Sequence, residues 1–258
     1  MDLHDLFDLK GKIAIVTGGG DGIGKGCCEI LAQAGAFVAV SDLNLLKAQN
    51  VANGIIEKGG RAIAIECNVL KDEDLVRLVD TTVKEFGTIN ILVNNAGGGG
   101  GGKEDPFKTD RAYFERIFNL NVFSAWRLCQ LTAPYMAKSQ YGSIINITSM
   151  ASINNSPAMS AYAASKAALN HMAENLAYDF GGMNIRINNV GPGATETNAL
   201  QTILTPEIKQ RMLAHTPIKR LGKVSDIAGA VLYFASPVSE WVSGQILFVN
   251  GGGIQTLD

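Results

Sequence analysis

The sequence predicts an α/β protein built as one doubly wound parallel sheet of about seven strands, with helices on both faces. Three observations predict it. Short β-rich runs alternate with longer helical patterns along all 258 residues. The runs are nearly continuous in apolar residues, as strands buried on both faces are. No Pro-, Gly- or Ser-rich linker and no repeat of fixed period breaks the alternation, so residues 1–258 are expected to form a single domain.

The elements follow in order. "KIAIVTG" gives the first strand and runs into "VTGGGDGIGKG", whose Gly18, Gly22 and Gly24 mark a tight turn before a helix over Ile23 to Ala34. "AFVAVSD" is the second strand, ending on Asp42, and a helix is expected over Leu46 to Lys58. "AIAIECN" and a helix over Lys71 to Phe86 come next, then "INILVNN", which opens into the glycine run Gly97 to Gly102. That run follows a strand, so it is expected in a loop at the carboxyl end of the sheet, where open α/β sheets bind ligands. A helix over Asn121 to Lys138 leads to "GSIINIT", and one over Ser160 to Phe180 leads to "NIRINNV". A last helix over Ser225 to Ser236 precedes the strand "GQILFVN".

Composition narrows the function classes. Net charge is -2 and the 22 Lys and Arg residues are scattered, so the electrostatic footprint of a nucleic-acid binder is missing. A small-molecule partner is expected. The N-terminal "MDLHDLFDLKGK" lacks an apolar signal region, and no stretch approaches the run of about 18 apolar residues that spans a bilayer. No membrane partner is expected, and the protein is expected in the cytoplasm. Cys27, Cys28, Cys67 and Cys129 form no CxxC pair, and His4, His171 and His215 lie far apart, so free thiols and no metal are expected.

The glycine turn sits between a strand and a helix, and Asp42 follows Gly24 by 18 residues at the end of the second strand. Glycines let the backbone approach a pyrophosphate, and the helix start favours its charge. This predicts a dinucleotide site. The Asp42 carboxylate can accept from ribose hydroxyls and repels a 2′-phosphate; Asp21 adds negative charge, and Leu43, not an arginine, follows Asp42. The expected cofactor is NAD. The competing reading makes Asp42 a cap of the following helix.

In "SAYAASKAALN" an otherwise bland helix carries Tyr162 and, one turn later, Lys166. Positions i and i+4 share a helix face, which brings the ammonium near the phenol. Lowering a phenol pKa by about three units takes roughly 4 kcal/mol, and one cation at about 4 Å supplies that order of energy at an effective dielectric near 20.

Thr17 to Gly24 read as TGxxxGxG, Asn94 to Gly97 as NNAG, Ser149 precedes a YxxxK by 13 residues, and a Pro-Gly follows the sixth strand. With these motifs the chain resembles the short-chain dehydrogenase/reductase family over essentially its whole length, which implies a Rossmann-like fold. The resemblance implies that Tyr162 is the acid/base, that Lys166 lowers its pKa and holds the nicotinamide ribose, and that Ser149 bonds the reacting oxygen. It further implies that the Asn121 carbonyl holds a water linking the lysine to solvent. Pro192, Gly193, Thr195 and Thr197 would meet the carboxamide side. Asn95, Asn68 and Val69 would line the adenosine side, with Asn68 where many relatives carry Asp, and Ile23 and Gly97 would complete the cofactor set.

Substrate is expected between Gly98 to Pro106, Met150 to Met159 and Ala194 to His215, with Gly99, Ser149, Asn154 and Tyr162 in contact with it. Met150, Ile153, Met159, Leu200, Ile203, Leu204, Met212 and Leu213 make these segments apolar, suited to an elongated hydrophobic alcohol. Within the family, "NNAGGGG", "LNVFS", "ITSMAS", "TPEIKQRML", "HTPIKRLG" and "WVSGQIL" are similar to the bacterial NAD-dependent branch that oxidises the 7α-hydroxyl of bile acids. That similarity implies a hydroxysteroid substrate and a glycine run that orders around it. Other apolar alcohols, 3-oxoacyl compounds, polyols and a catalytically silent scaffold are the alternatives. The resemblance also implies a homotetramer, joined through the helix face of Ala163, Ala164, Ala167 and Ala168 and through "GQILFVNGGG".

Overall fold

The computed structural model describes residues 3–99, 104–202 and 204–253; Gly100 to Gly102 of the glycine run and Ile203 lie outside them. Seven parallel strands form one sheet in the order β3-β2-β1-β4-β5-β6-β7. They are β1 (Ile13–Thr17), β2 (Phe37–Asp42), β3 (Arg61–Glu66), β4 (Ile91–Asn94), β5 (Gly142–Ile147), β6 (Ile185–Pro192) and β7 (Ile246–Val249). Winding runs outward in both directions from β1 and β4, so the carboxyl ends of these two strands flank the crevice where such sheets bind ligands.

The helices are α1 (Leu3–Phe7), α2 (Gly22–Gln33), α3 (Leu45–Glu57), α4 (Asp72–Phe86), α5 (Arg111–Phe118), α6 (Ser124–Ser139), α7 (Ser160–Gly181), α8 (Asn198–Gln201), α9 (Pro206–Ala214) and α10 (Val224–Ala235). Two cores show how they are layered. On one face Cys28 and Leu31 of α2, Val51 of α3 and Ile227 and Phe234 of α10 meet Val16, Val93 and Ile145. On the other, Leu78 of α4, Leu128 of α6 and Ala173 of α7 meet Ile15, Leu92 and Ile144. Successive strand residues thus enter opposite cores, which is why the strands read as unbroken apolar runs. All four cysteines are buried and free.

Between the cores runs a buried polar line. Asn94, Asn146 and Asn189 are directly opposed on β4, β5 and β6. Asn94 Nδ2 donates to Asn146 Oδ1 and Asn146 Nδ2 to Asn189 Oδ1, each at 2.9 Å. A one-residue slip would break the line and leave buried amides unpaired, so it holds the register of the middle of the sheet.

The helix expected over Asn121 to Lys138 begins earlier than its apolar pattern suggests. Asp110 accepts from Tyr113 N and caps α5, and a π-helical turn over Asn119–Phe123 joins α5 to α6. The wider turn puts Asn121 inside a helical passage, a place where such turns commonly serve sites. The short α1, α8 and α9 were not foreseen. Among the described residues no helix is long and apolar enough to cross a membrane, and no group of three His, Cys, Asp or Glu could hold a metal.

Candidate active site

At the carboxyl end of β1 the chain turns through Gly18, at φ 62°, and Gly22, at φ 52°, into α2. Gly24 shows why the turn needs glycine: a Cβ there would lie 2.0 Å from Gly18 O. Asp21 caps α2, its Oδ1 accepting from Gly22 N at 2.7 Å. The same oxygen accepts from Asn198 Nδ2 at 2.9 Å, and Oδ2 pairs with Lys47 Nζ at 3.0 Å. The Asn198 bond, then the Lys47 bond, hold the Asp21 carboxyl below its ordinary pKa. Sequence reasoning missed both partners, because nothing local marks contacts 177 and 26 positions away.

Asn95 also anchors the glycine turn. Its Nδ2 donates to Thr17 O at 2.9 Å and Gly18 O at 3.0 Å, and Thr17 Oγ1 accepts from Asn95 N and Ala96 N. The side chain therefore fixes the glycine turn, although the residue still lines the cleft. Thr17 was missed as a contributor; the signal was its place at the head of the TGxxxGxG stretch.

Asp42 does not cap α3: Asn44 does, accepting from Lys47 N at 3.1 Å. Asp42 Oδ2 accepts from Gly20 N and Oδ1 from Asn44 N, each at 2.9 Å. The carboxylate is thus fixed at the edge of the glycine turn, with lone pairs left for further donors. Leu43 beside it is exposed. Asn68 Oδ1 already accepts from Leu70 N at 3.0 Å, so one of its lone pairs is taken. Asp42, Leu43, Asn68 and Val69 stand at or just past the ends of β2 and β3, outside the lining of the main cleft, and Gly18 is likewise outside that lining.

That cleft, about 890 Å³, joins the glycine turn to the chemical centre. Ser149, Asn154, Tyr162 and Lys166 open into it with Gly97 and Gly99, and Pro192, Gly193, Thr195 and Thr197 form its far wall. Thr195 Oγ1 donates to Gly193 O at 3.0 Å, which turns the hydroxyl inward, while Thr197 Oγ1 caps α8 by accepting from Leu200 N at 3.3 Å. Met150, Met159, Leu200 and Met212 supply apolar lining. Leu213 instead borders a neighbouring opening beside Thr216, and Ile153 is exposed and Leu204 sits apart from the cleft.

Burial pushes the Tyr162 phenol pKa above its ordinary value, and the neighbouring Ser149 side chain draws it part of the way back. Ser149 Oγ also accepts from Ala151 N at 3.1 Å. Lys166 is buried, its Nζ donating to Ile147 O at 2.8 Å, and burial pulls its pKa down to about 8. It therefore stays mostly protonated at neutral pH. The ammonium lies 5.9 Å from the centre of the Tyr162 ring. Behind the centre, Asn121 Oδ1 accepts from Gly98 N and its Nδ2 donates to Gly98 O, each at 3.0 Å, so its side chain holds the start of the glycine run.

Ser149, Tyr162, Lys166 and the glycine turn thus share one opening. Comparison with known proteins gives the same direction. A family model described as enoyl-(acyl carrier protein) reductase matches residues 18–253. The 7α-hydroxysteroid dehydrogenase of Escherichia coli K12 is 49% identical over 254 residues, 98% of each chain. A solved 7α-hydroxysteroid dehydrogenase complexed with NADH and 7-oxo glycochenodeoxycholic acid is 48% identical, covers 100% of both chains and superposes with a TM-score of 0.95. A short-chain type dehydrogenase/reductase from Mycobacterium marinum is 32% identical over 99% of this chain and 100% of its own, with a TM-score of 0.93.

Proposed function

The chain belongs to the short-chain dehydrogenase/reductase family, and on that premise we propose that it is an NAD-dependent oxidoreductase interconverting the 7α-hydroxyl and 7-ketone of bile acids. One observation carries the reading: Tyr162 and Ser149 open together into a cleft that is walled by Met150, Met159, Leu200 and Met212 and continuous with the glycine turn. A rigid apolar ring system suits such walls better than a polyol does. The relatives named 7α-hydroxysteroid dehydrogenase support the substrate class.

Gly18, Gly22, Ile23 and Gly24 would hold the pyrophosphate, and Asp42 the adenosine ribose, with Leu43, Asn68 and Val69 flanking the adenine. Lys166 would bond the nicotinamide ribose, with Gly97 completing the cofactor set, Asn95 on the adenosine side, and Pro192, Gly193, Thr195 and Thr197 along the carboxamide. When bound, the nicotinamide supplies the hydride acceptor for oxidation and the donor for reduction. Tyr162 takes the hydroxyl proton in oxidation and returns it in reduction. Ser149 Oγ accepts from Ala151 N, and its hydroxyl would donate to the reacting oxygen, stabilising the charge that develops there. Lys166 holds the phenolate by its charge, and Asn121 connects it to solvent through its carbonyl. Gly99 and Asn154 would touch the substrate beside Tyr162.

The second expectation kept from the sequence is a homotetramer. β7 is an edge strand with Leu247 partly exposed, and Trp241 beside it is 97% exposed, which supports a subunit contact through 244–253. Ala163, Ala164, Ala167 and Ala168 on α7 would form the other contact.

Tyr162→Phe tests the centre. Turnover is expected to fall at least about a hundredfold with modest change in NAD affinity, measured by steady-state kinetics and calorimetry. Near-normal turnover would overturn the role given to the phenol.

A further inference from the structure

Glu104 has no place in the chemistry above, yet among the described residues it is the only buried carboxylate, at 6% exposure. All three hydrogen bonds that it accepts come from the first turn of α7: Ser160 Oγ at 3.0 Å, Ala161 N at 2.7 Å and Tyr162 N at 3.2 Å. Its own amide donates to Ala158 O at 3.0 Å, so backbone and side chain together grip the entry to the helix. Met159, in the position where a helix usually finds its cap, offers no side-chain bond. The helix that carries Tyr162 and Lys166 therefore borrows its cap from a residue 58 positions before Tyr162. A carboxylate suits that place, because it satisfies free amides and meets the positive end of the helix dipole.

Tyr162 is the third residue of α7, in the turn that frays first when a cap is lost. Gly99, five residues before Glu104, presses on the same ring: a Cβ there would come within 3.1 Å of Tyr162 Cδ2. Lys166, one turn deeper, has a separate anchor in Ile147 O. Loss of the Glu104 bonds would thus release the phenol and leave the lysine in place.

We propose that Glu104 is a positioning residue for Tyr162, its carboxylate holding the first turn of α7 so that the phenol meets Ser149 and the reacting oxygen at a fixed depth and angle. This rests on the reading of Tyr162 as the acid/base.

Turnover of chenodeoxycholate with NAD, calorimetric NAD binding and circular dichroism of Glu104→Ala, Glu104→Gln and Tyr162→Phe beside the parent protein test it. A displacement of about 1 Å at a reacting group costs up to about a hundredfold, so Glu104→Ala is expected to lower kcat at least about tenfold with the NAD dissociation constant within about twofold. Glu104→Gln keeps one oxygen acceptor but sets its NH2 against one of the two backbone amides, so its kcat is expected between those of Glu104→Ala and the parent with NAD affinity within about twofold, and a kcat below that of Glu104→Ala counts against the proposal. A Glu104→Ala protein with parental kcat overturns the proposal, and so does one in which kcat and NAD affinity fall together. Should Glu104→Ala not fold, Glu104→Asp carries the test, because it keeps the charge and draws it back by one methylene. A kcat at least about fivefold lower with unchanged NAD affinity supports the proposal, and parental kcat overturns it. A Tyr162→Phe protein that still turns over would bring down the underlying reading, whereas an inactive Tyr162→Phe beside a fully active Glu104→Ala removes only the positioning role.

Discussion

Gly24→Ala puts one methyl group where the cofactor turn is tightest. Its Cβ would stand 2.0 Å from Gly18 O, 2.8 Å from Gly18 C and 2.5 Å from Asn95 Nδ2. The obstacle is mostly backbone, so it cannot swing aside as a side chain would; the turn and the start of α2 must part by more than about 1 Å. Overpacking of this kind costs about 1 to 3 kcal/mol. The Asn95 bonds to Thr17 O and Gly18 O lie in the path of the shift, and their loss adds about 0.5 to 1.5 kcal/mol each. A total of about 2 to 6 kcal/mol lowers Tm by about 4 to 24 °C in a chain of this size. Displacing the turn also removes amide donors from the pyrophosphate, so NAD affinity should fall at least about tenfold. Differential scanning calorimetry and an NAD titration measure both. Gly54→Ala is the control, because a Cβ in that part of α3 meets nothing within 4 Å, and removing a helical glycine should stabilise by about 0.5 to 1 kcal/mol. Parental Tm and NAD affinity in Gly24→Ala would refute the steric reasoning.

Asp42→Arg replaces the fixed carboxylate at the edge of the turn with a phosphate-binding cation, and the ratio of kcat/KM for NADP over NAD should rise at least about a hundredfold; an unchanged preference for NAD would refute the role of Asp42. Lys166 has its pKa pulled from 10.5 to about 8 by burial, so between those values the unfolded chain binds more protons than the folded one and stability from this group rises with pH. Relative to Lys166→Met, the parent should gain up to about 3 kcal/mol between pH 8 and pH 10.5 in urea unfolding; a difference that does not change with pH would contradict it.

The parts of the molecule legible in the sequence are those with local causes. The seven strands announce themselves through uninterrupted apolar runs, and the cofactor turn through glycines between a strand and a helix. The pairing of Tyr162 with Lys166 follows from a spacing of one helical turn. What escaped prediction depends on contacts distant in sequence. Glu104 looks like a solvated loop charge until the fold brings it to the N-terminus of α7. Asn198 meets Asp21 only once α8 crosses to the glycine turn, and Asn95 spends its amide on the backbone of β1 because β4 lies next to that strand. The α5–π–α6 passage hid its start, because the cap at Asp110 lies in a polar stretch well before the apolar periodicity begins. Helix geometry fixes where the Tyr162 and Lys166 side chains leave the backbone, whereas the Ile147 carbonyl decides where the ammonium rests, and no local pattern marks that partner.

The most direct measurement is NAD reduction by the purified protein with chenodeoxycholate, with its 7β-epimer, and with a bile acid that lacks the 7-hydroxyl. Turnover with the 7α compound and none with the other two is the predicted result, and it would establish cofactor, substrate class and stereochemistry together. No turnover with the 7α compound, in protein that binds NAD and is folded, would contradict the substrate assignment.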